Sequence, residues 1–114
     1  MTDKPDKDVY AKRLVTLLDD SDITQEYDVT YKSVFGAIGG YINQTIFISS
    51  GRFGIALKLP ADILDDLMAN HGATPFKYFE KGHIKKDYAV LPDTLLSDQP
   101  RMKVLLRQSI EFSV

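Results

Sequence analysis

The segment Tyr27–Pro60 limits most strongly what this chain can fold into. It reads YDVTYKSVFGAIGGYINQTIFISSGRFGIALKLP and contains most of the β-branched and aromatic runs of the sequence. Short polar or glycine pairs interrupt these runs, among them Asn43-Gln44 and Ser50-Gly51. Asn43 tolerates a left-handed backbone and Gly51 adopts one without a Cβ clash, so both positions favour tight reversals. The pattern therefore predicts an antiparallel meander.

Helical patterns of apolar residues lie on both sides of the meander. They predict one helix that begins at Asp6 and ends near residues 19–22, and a second helix that Pro60 opens and Gly72 closes. A third helix is predicted to start near residues 97–98. Its inner face is expected to comprise Met102, Leu105, Leu106, Ser109, Ile110 and Phe112.

Further strands are predicted between the last two helices. The sequence Thr74-Pro75-Phe76 predicts the start of one strand, and residues 80–83 are able to turn the chain back into a strand over Asp87–Leu91. Val29 and Tyr31 alternate with polar residues, which suggests an extra early strand. The predicted order is α-β-β-β-α-β-β-α. The 114 residues are expected to form one domain (1–114) of the α+β class, an antiparallel meander sheet packed with helices.

Two positions of the meander carry specific expectations for packing. We expect Leu57 to be buried. Phe35 is the only large aromatic residue between Tyr31 and Tyr41, so we expect it to anchor the core. Gly36 would then permit a bulge or a close approach of the backbone.

Composition excludes several classes of function. The formal net charge of -2 and the pI of about 5.6 exclude a broad cationic surface for nucleic acid, so any basic surface must be local. The absence of cysteine excludes a disulfide framework, a thiol nucleophile and a thiolate metal site. The N-terminus, MTDKPDKD, does not resemble a signal peptide, and no apolar run is long enough to span a bilayer. We expect a cytoplasmic protein that does not enter membranes.

Three groups of polar residues are candidates for metal or catalytic sites. Alternating residues at 20, 22, 24 and 26 resemble the start of a calcium-binding loop, but Gln25 and Tyr31 occupy the positions where that loop needs glycine and a carboxylate. The second group, Asp62, Asp65 and Asp66, is typical of a solvated helix face. The third, His71 and His83, lacks the spacing of a zinc motif. The sequence therefore predicts no catalytic, cofactor or metal residues, although a cleft that gathers these side chains would favour a ligand-binding protein or an enzyme.

The most suggestive surface segment is PFKYFEKGHIKKDY, residues 75–88. Its aromatic residues alternate with cations in a predicted hairpin, which is the combination that a nucleic-acid-binding ribbon uses. A half-buried strand with lysines that protect a sheet edge shows the same alternation, and this structural interpretation is favoured. The candidate nucleic-acid contacts are Lys77, Lys81, Lys85 and Lys86.

From about Lys32 onward the chain resembles the TfoX (Sxy) N-terminal domain family, named for a regulator of bacterial competence. The resemblance is carried by four motifs in order, KSVFGA, LKLP, HGATPF and DYAVLPDTLL. Val34 and Ala37 depart from the family, which often has methionine and glycine there. The residues that match the family motifs are Lys32, Phe35, Gly36, Leu59, Pro60, Gly72, Pro75, Phe76, Tyr88, Leu91 and Pro92.

The resemblance implies an α+β fold similar to the secretion-chaperone-like folds. It also implies a regulatory role, because family members act with a cyclic-AMP-responsive transcription factor to switch on genes for DNA uptake, and it supplies no catalytic residues. The full-length competence regulators also have a separate C-terminal domain. The resemblance extends to Val114 and does not include that domain.

The leading hypothesis is therefore a non-enzymatic regulatory binding module that acts through a protein partner or self-association, with no cofactor and with weak DNA binding at most. The alternatives are a direct nucleic-acid binder that uses residues 75–88 and, less favoured, a small-ligand-binding protein or enzyme.

Overall fold

A six-stranded antiparallel sheet lies at the centre of residues 7–114, the part of the chain that the computed structural model describes. The strands lie in the spatial order β1-β2-β3-β4-β6-β5. Their bounds are β1 Thr30–Val34, β2 Ala37–Ile42, β3 Thr45–Gly51, β4 Gly54–Lys58, β5 Thr74–Pro75 and β6 Tyr88–Val90. The predicted meander is confirmed as β2-β3-β4, and the early strand is confirmed as β1.

The helices also follow the predicted order. They are α1 Lys7–Asp20, α2 Ala61–Asn70, α3 Asp93–Leu96 and α4 Gln99–Ser113, and a 3₁₀ turn over Ile23–Gln25 follows α1. The predicted start of α1 at Asp6 lies outside the described residues. The α+β class is confirmed. The short helix α3 lies between the predicted last strand and the predicted last helix, where the sequence suggested only a short turn.

Local signals explain where α2 and α4 begin and end. Pro60 precedes the first residue of α2, and Gly72, with a φ of 82°, follows its C-terminal cap. The Asp98 side chain accepts a hydrogen bond of 3.2 Å from the backbone N–H of Arg101, so it caps the N-terminus of α4. One expectation for α4 is wrong: Phe112 is 44% exposed and does not belong to the inner face.

The two faces of the sheet carry different residues. On the inner face Ile48 lies opposite Leu57, and α1 and α4 pack against this face. Leu57 is fully buried, as predicted. On the outer face Ser49 lies opposite Ala56 and Gly39, so this face presents small side chains. The inner face therefore forms the main core, and the outer face leaves room above the sheet.

The tight reversals of the meander agree only in part with the prediction. Asn43 and Gln44 have φ values of 52° and 70°, which confirms the left-handed turn between β2 and β3. Gly51 remains inside β3 without a left-handed backbone, so that expectation is wrong, and the positive φ of 110° occurs at Gly54. Gly51 serves close packing instead, because a Cβ at this position would lie 2.8 Å from the Cβ of Ala37.

The predicted hairpin over residues 76–91 joins the sheet, but it is not a regular ribbon. Only β5 pairs with β6, and residues 76–87 form an irregular segment between them, here called the lysine loop. The backbone N–H of Lys85 donates to the carbonyl of Phe76 at 2.7 Å, and that of Gly82 donates to the carbonyl of Phe79 at 2.8 Å. Phe76, at the start of the loop, packs into a small apolar cluster with Ala56 and Tyr88.

Candidate aromatic binding cleft

The turn between β1 and β2 consists of Phe35 and Gly36. Their φ values are 47° and 82°, and Val34 pairs directly with Ala37, so the chain reverses within these two residues. Phe35 is 66% exposed, and the prediction that it anchors the core is wrong. A two-residue turn places its side chains beyond the end of the sheet, and most of the Phe35 side chain is exposed there.

Gly36 also has a different role from the predicted one. A Cβ added at this position would meet no atom within 4 Å, so neither a bulge nor close packing requires glycine here. The left-handed φ of 82° does require it, because a side chain strains the backbone in that region. The Phe35-Gly36 pair is thus a turn that displays a phenylalanine.

Five aromatic residues form a continuous row on the outer face. Phe35 packs edge to face against Phe79 and Tyr78, with ring centroids 5.8 and 5.1 Å away. Phe76 continues the row, with its centroid 4.8 Å from Tyr78 and 5.7 Å from Tyr88. The row connects three segments that are distant in sequence: the β1–β2 turn, the lysine loop and β6.

A cleft of about 600 Å³ opens beside this row. Small residues of the outer face leave space for it, and aromatic side chains form its walls. We call it the aromatic cleft, and it is lined by Tyr10, Phe35, Gly36, Ala37, Ser49, Gly51, Arg52, Phe53, Phe76, Tyr78 and Phe79. Its volume lies within the range of about 300–1,000 Å³ that is usual for ligand pockets.

Neutral polar groups lie deep beside the cleft. Burial raises the pKa of Tyr78, against a smaller lowering by the nearby Ser49 hydroxyl, and burial is also the main cause of the raised pKa of Tyr88. Both phenols therefore stay protonated at neutral pH. Ser49 Oγ is buried and forms no hydrogen bond of normal geometry with any described residue. The deep part of the cleft accordingly carries no negative charge.

The charge at the cleft is positive. Arg52 is the only charged residue among those that line it, and its guanidinium carbon lies 4.9 Å from the centroid of the Phe53 ring. Among the described residues, no carboxylate forms an ion pair with Arg52. Arg52 itself is exposed to solvent.

The TfoX N-terminal domain family model matches residues 23–113 of this chain. The chain belongs to the TfoX N-terminal domain family. No curated protein matches it significantly. Membership of this family supports a competence-related regulatory domain, and the family is non-catalytic. The described part of the chain contains no helix with the length and apolarity to cross a membrane.

The TfoX-family motif residues separate into two groups in the structure. Most support the fold: Leu59 and Leu91 are buried, and Pro60, Gly72, Pro75 and Pro92 lie at or beside the ends of helices and strands. The second group lies on the outer face. Phe35, Phe76 and Tyr88 belong to the aromatic row, Gly36 supplies its turn, and Lys32 Nζ lies 4.6 Å from the centroid of the Tyr41 ring. Sequence reasoning missed the row because its members come from separate motifs.

The candidate nucleic-acid contacts all lie on the lysine loop. Lys81, Lys85 and Lys86 are exposed, and Lys77 is half-buried. The loop is irregular, so these cations do not form the regular strand-like row that a ribbon would present. Its acidic residues, Glu80 and Asp87, are exposed as well and reduce the positive field of the loop.

The remaining polar candidates do not gather around the aromatic cleft. His71 Nε2 lies 3.6 Å from Asp66 Oδ2 and 3.4 Å from Arg101 Nη2, at the end of α2. Asp62 lines a groove of about 360 Å³ with Asp66 and Arg101. Within residues 7–114, no group of three or more histidine and acidic side chains is placed to hold a metal ion. These contacts are those of a capped helix end.

Proposed function

We propose that this TfoX N-terminal domain is a cytoplasmic regulatory binding module that acts on competence or transcription through a protein partner or self-association. The partner binds at the aromatic cleft. The observation that carries the proposal is Phe35, a large apolar side chain that is 66% exposed on a turn with a φ of 47°.

Neither the turn nor the core accounts for a phenylalanine at this position. Two-residue turns with positive φ at both positions favour Asn, Asp or Gly, and a left-handed backbone costs other residues roughly 1–2 kcal/mol. The core does not gain from Phe35 either, since most of the side chain faces solvent. A contact with another molecule explains the residue, because buried aromatic anchors dominate the energy of protein interfaces.

The surroundings of Phe35 suit such a contact. Phe79 is 56% exposed and extends the apolar surface, and the aromatic cleft beside it has room for one or two large side chains. An exposed apolar patch rimmed by polar residues is typical of an interaction site.

The test is affinity capture from the native cytosol, with proteins and nucleic acids analysed together, for the wild type, Phe35→Ala and Phe112→Ala. Phe112 is a matched control because it is an exposed phenylalanine on α4 that does not line the cleft. We expect the wild type and Phe112→Ala to retain the same protein, and Phe35→Ala to lose it while its circular dichroism spectrum stays unchanged. Sedimentation of the three proteins measures self-association. If the partner is a second copy, the wild type and Phe112→Ala should associate and Phe35→Ala should not. Equal capture and equal sedimentation of Phe35→Ala and the wild type would contradict the proposal.

Direct nucleic-acid binding is the alternative outcome, and the lysine loop tests it. Its four lysines neutralise at most about four phosphates, so counterion release should make binding weak and strongly dependent on salt. We expect titrations of DNA and RNA at low and high salt to show weak binding that high salt removes. Sub-micromolar binding that survives high salt, and that disappears when Lys77, Lys81, Lys85 and Lys86 are changed to alanine, would favour the nucleic-acid function instead.

A further inference from the structure

We infer that the aromatic cleft takes an acidic peptide segment of the partner, with a large apolar side chain in the cleft and a neighbouring carboxylate on Arg52. This inference rests on the proposed function and adds the chemistry of the partner. Two independent properties of the surface support it, the shape of the apolar lining and the sign of the charge at its rim.

The lining fits one large apolar anchor. The floor beside β2 and β3 is made of small residues, and Ala37 and Gly51 pack so closely that no side chain fits at position 51. The aromatic walls already meet edge to face, so the rings of Phe35 and Tyr78 offer both edges and faces to an incoming group. A phenylalanine, tryptophan or leucine side chain therefore matches the cleft better than a polar one.

The rim of the cleft favours a negative partner. Arg52 has no carboxylate partner among the described residues, and no acidic residue lines the cleft. Part of the lining comes from the lysine loop, which supplies Tyr78 and Phe79 and carries four lysines against two acidic residues. This local excess of positive charge contrasts with the net charge of -2 of the whole chain. A guanidinium also binds a carboxylate through two parallel hydrogen bonds, which fixes the orientation of a peptide.

The charge also decides against a second copy of the chain as the occupant. A symmetric dimer through this surface would bring the same residues of both copies together. Such an interface would contain two Arg52 guanidinium groups and two lysine loops, and an excess of like charge at an interface opposes association. An acidic segment of another protein has no such penalty.

A groove next to the aromatic cleft gives room for further residues of the peptide. Phe53 lines both the aromatic cleft and a neighbouring groove of about 510 Å³, which Arg13 also lines. The two arginines thus lie on grooves that share the Phe53 ring. Asp93 also lines the neighbouring groove and would repel a carboxylate there. The acidic residues of the peptide should therefore lie nearer to Arg52.

The experiment is a selection of displayed random peptides, each about a dozen residues long, on the folded full-length chain. We expect enrichment of peptides that combine Phe, Trp or Leu with Asp or Glu. One enriched peptide is then synthesised with a fluorescent label and titrated by anisotropy. Arg52→Gln should weaken its binding roughly tenfold, as expected for the loss of one charge-assisted contact. Arg101→Gln is the matched control, since it removes an arginine from the groove between α2 and α4 and should leave binding unchanged.

The outcomes separate this inference from the proposed function. Selected peptides that need Phe35 but lack acidic residues, or that bind Arg52→Gln as well as the wild type, would overturn the acidic-partner inference and leave the cleft as the binding surface. A selection that enriches no peptide with both acidic and apolar residues also overturns the acidic-partner inference. In that case the capture experiment with Phe35→Ala tests the proposed function on its own. Phe79→Ala provides a second variant of the cleft if Phe35→Ala does not fold.

Discussion

The inner and outer faces of the sheet use apolar residues in opposite ways. On the inner face Phe47, Ile48 and Leu57 have no exposed surface, and two helices cover them. On the outer face the backbone carries small residues, and the large rings of Phe35 and Phe79 are more exposed than buried. Apolar packing on one face stabilises the domain, while two rings of the aromatic row on the other face are exposed. The difference supports the proposal that stability and recognition belong to separate faces.

The turns at the two ends of β2 show the same division on a smaller scale. Both place two consecutive residues in the left-handed region, at Asn43-Gln44 and at Phe35-Gly36. Asparagine suits that backbone, so the first turn needs no explanation beyond chain reversal. Phenylalanine does not suit it. The second turn therefore carries a residue that the reversal itself does not select.

The largest expected effect lies on the inner face. Leu57→Ala should lower the free energy of unfolding by about 2–5 kcal/mol, because it removes buried contacts and leaves a cavity. Urea denaturation measures the loss. The outer-face counterpart, Phe79→Ala, should change stability by less than about 0.5 kcal/mol because that side chain is more than half exposed. Similar losses for the two variants would remove the distinction between the faces.

The next largest effect concerns the backbone of the β1–β2 turn. Gly36→Ala should cost about 1–2 kcal/mol, since the space around the new Cβ is open and only the left-handed φ opposes it. Gly36→Asn should cost less, because asparagine tolerates this conformation. Thermal unfolding of both variants provides the measurement. If Asn costs as much as Ala, the strain does not come from φ.

Most of the fold followed from local sequence signals. The alternation of β-branched residues and the Asn43-Gln44 pair indicated the meander, and the helix ends followed from Pro60, Gly72 and Asp98. These features depend on the preferences of single residues or short patterns, which a sequence displays directly. The prediction for Gly51 is wrong because glycine serves both left-handed turns and close packing, and only the neighbouring Ala37 distinguishes the two uses.

The candidate site was much less predictable. The motif residues Phe35, Phe76 and Tyr88 are far apart in sequence, and their assembly depends on how the lysine loop curls over the outer face. An isolated phenylalanine between two strands is normally a core residue, so the sequence favoured the wrong interpretation. One sequence signal could have predicted that Phe35 is exposed. Only Phe35 and Gly36 separate the two strand-forming segments, and a two-residue turn places its side chains outside the core.

A smaller effect should follow from exchanging the residues of the two turns. Phe35→Asn relieves the left-handed strain but removes the ring contacts with Tyr78 and Phe79, so stability should change by no more than about 1 kcal/mol. Capture of the partner should be lost nevertheless. The reciprocal change, Asn43→Phe, should destabilise the domain slightly and leave capture intact. A Phe35→Asn variant that still captures the partner would contradict the assignment of recognition to this turn.

The smallest effect belongs to an ion pair that lies away from the aromatic cleft. Glu26 accepts a hydrogen bond of 2.9 Å from Arg107 Nε, and Lys103 Nζ lies 3.5 Å from its carboxylate. The hydrogen bond from Arg107 lowers the pKa of Glu26 below its ordinary value of 4.5, so the contact stabilises the fold above that pH. The contribution should disappear as the pH falls through the lowered pKa, because the protonated carboxyl no longer carries the charge that both cations attract.

Glu26→Gln tests this contact. Near neutral pH the variant should be slightly less stable than the wild type in urea denaturation, and the two curves should converge in acid. The effect is small because the pair lies at the surface, where water screens it. Partner capture should not change, since Glu26 does not line the aromatic cleft. Loss of capture in Glu26→Gln, with the fold intact, would show that recognition extends beyond the outer face of the sheet.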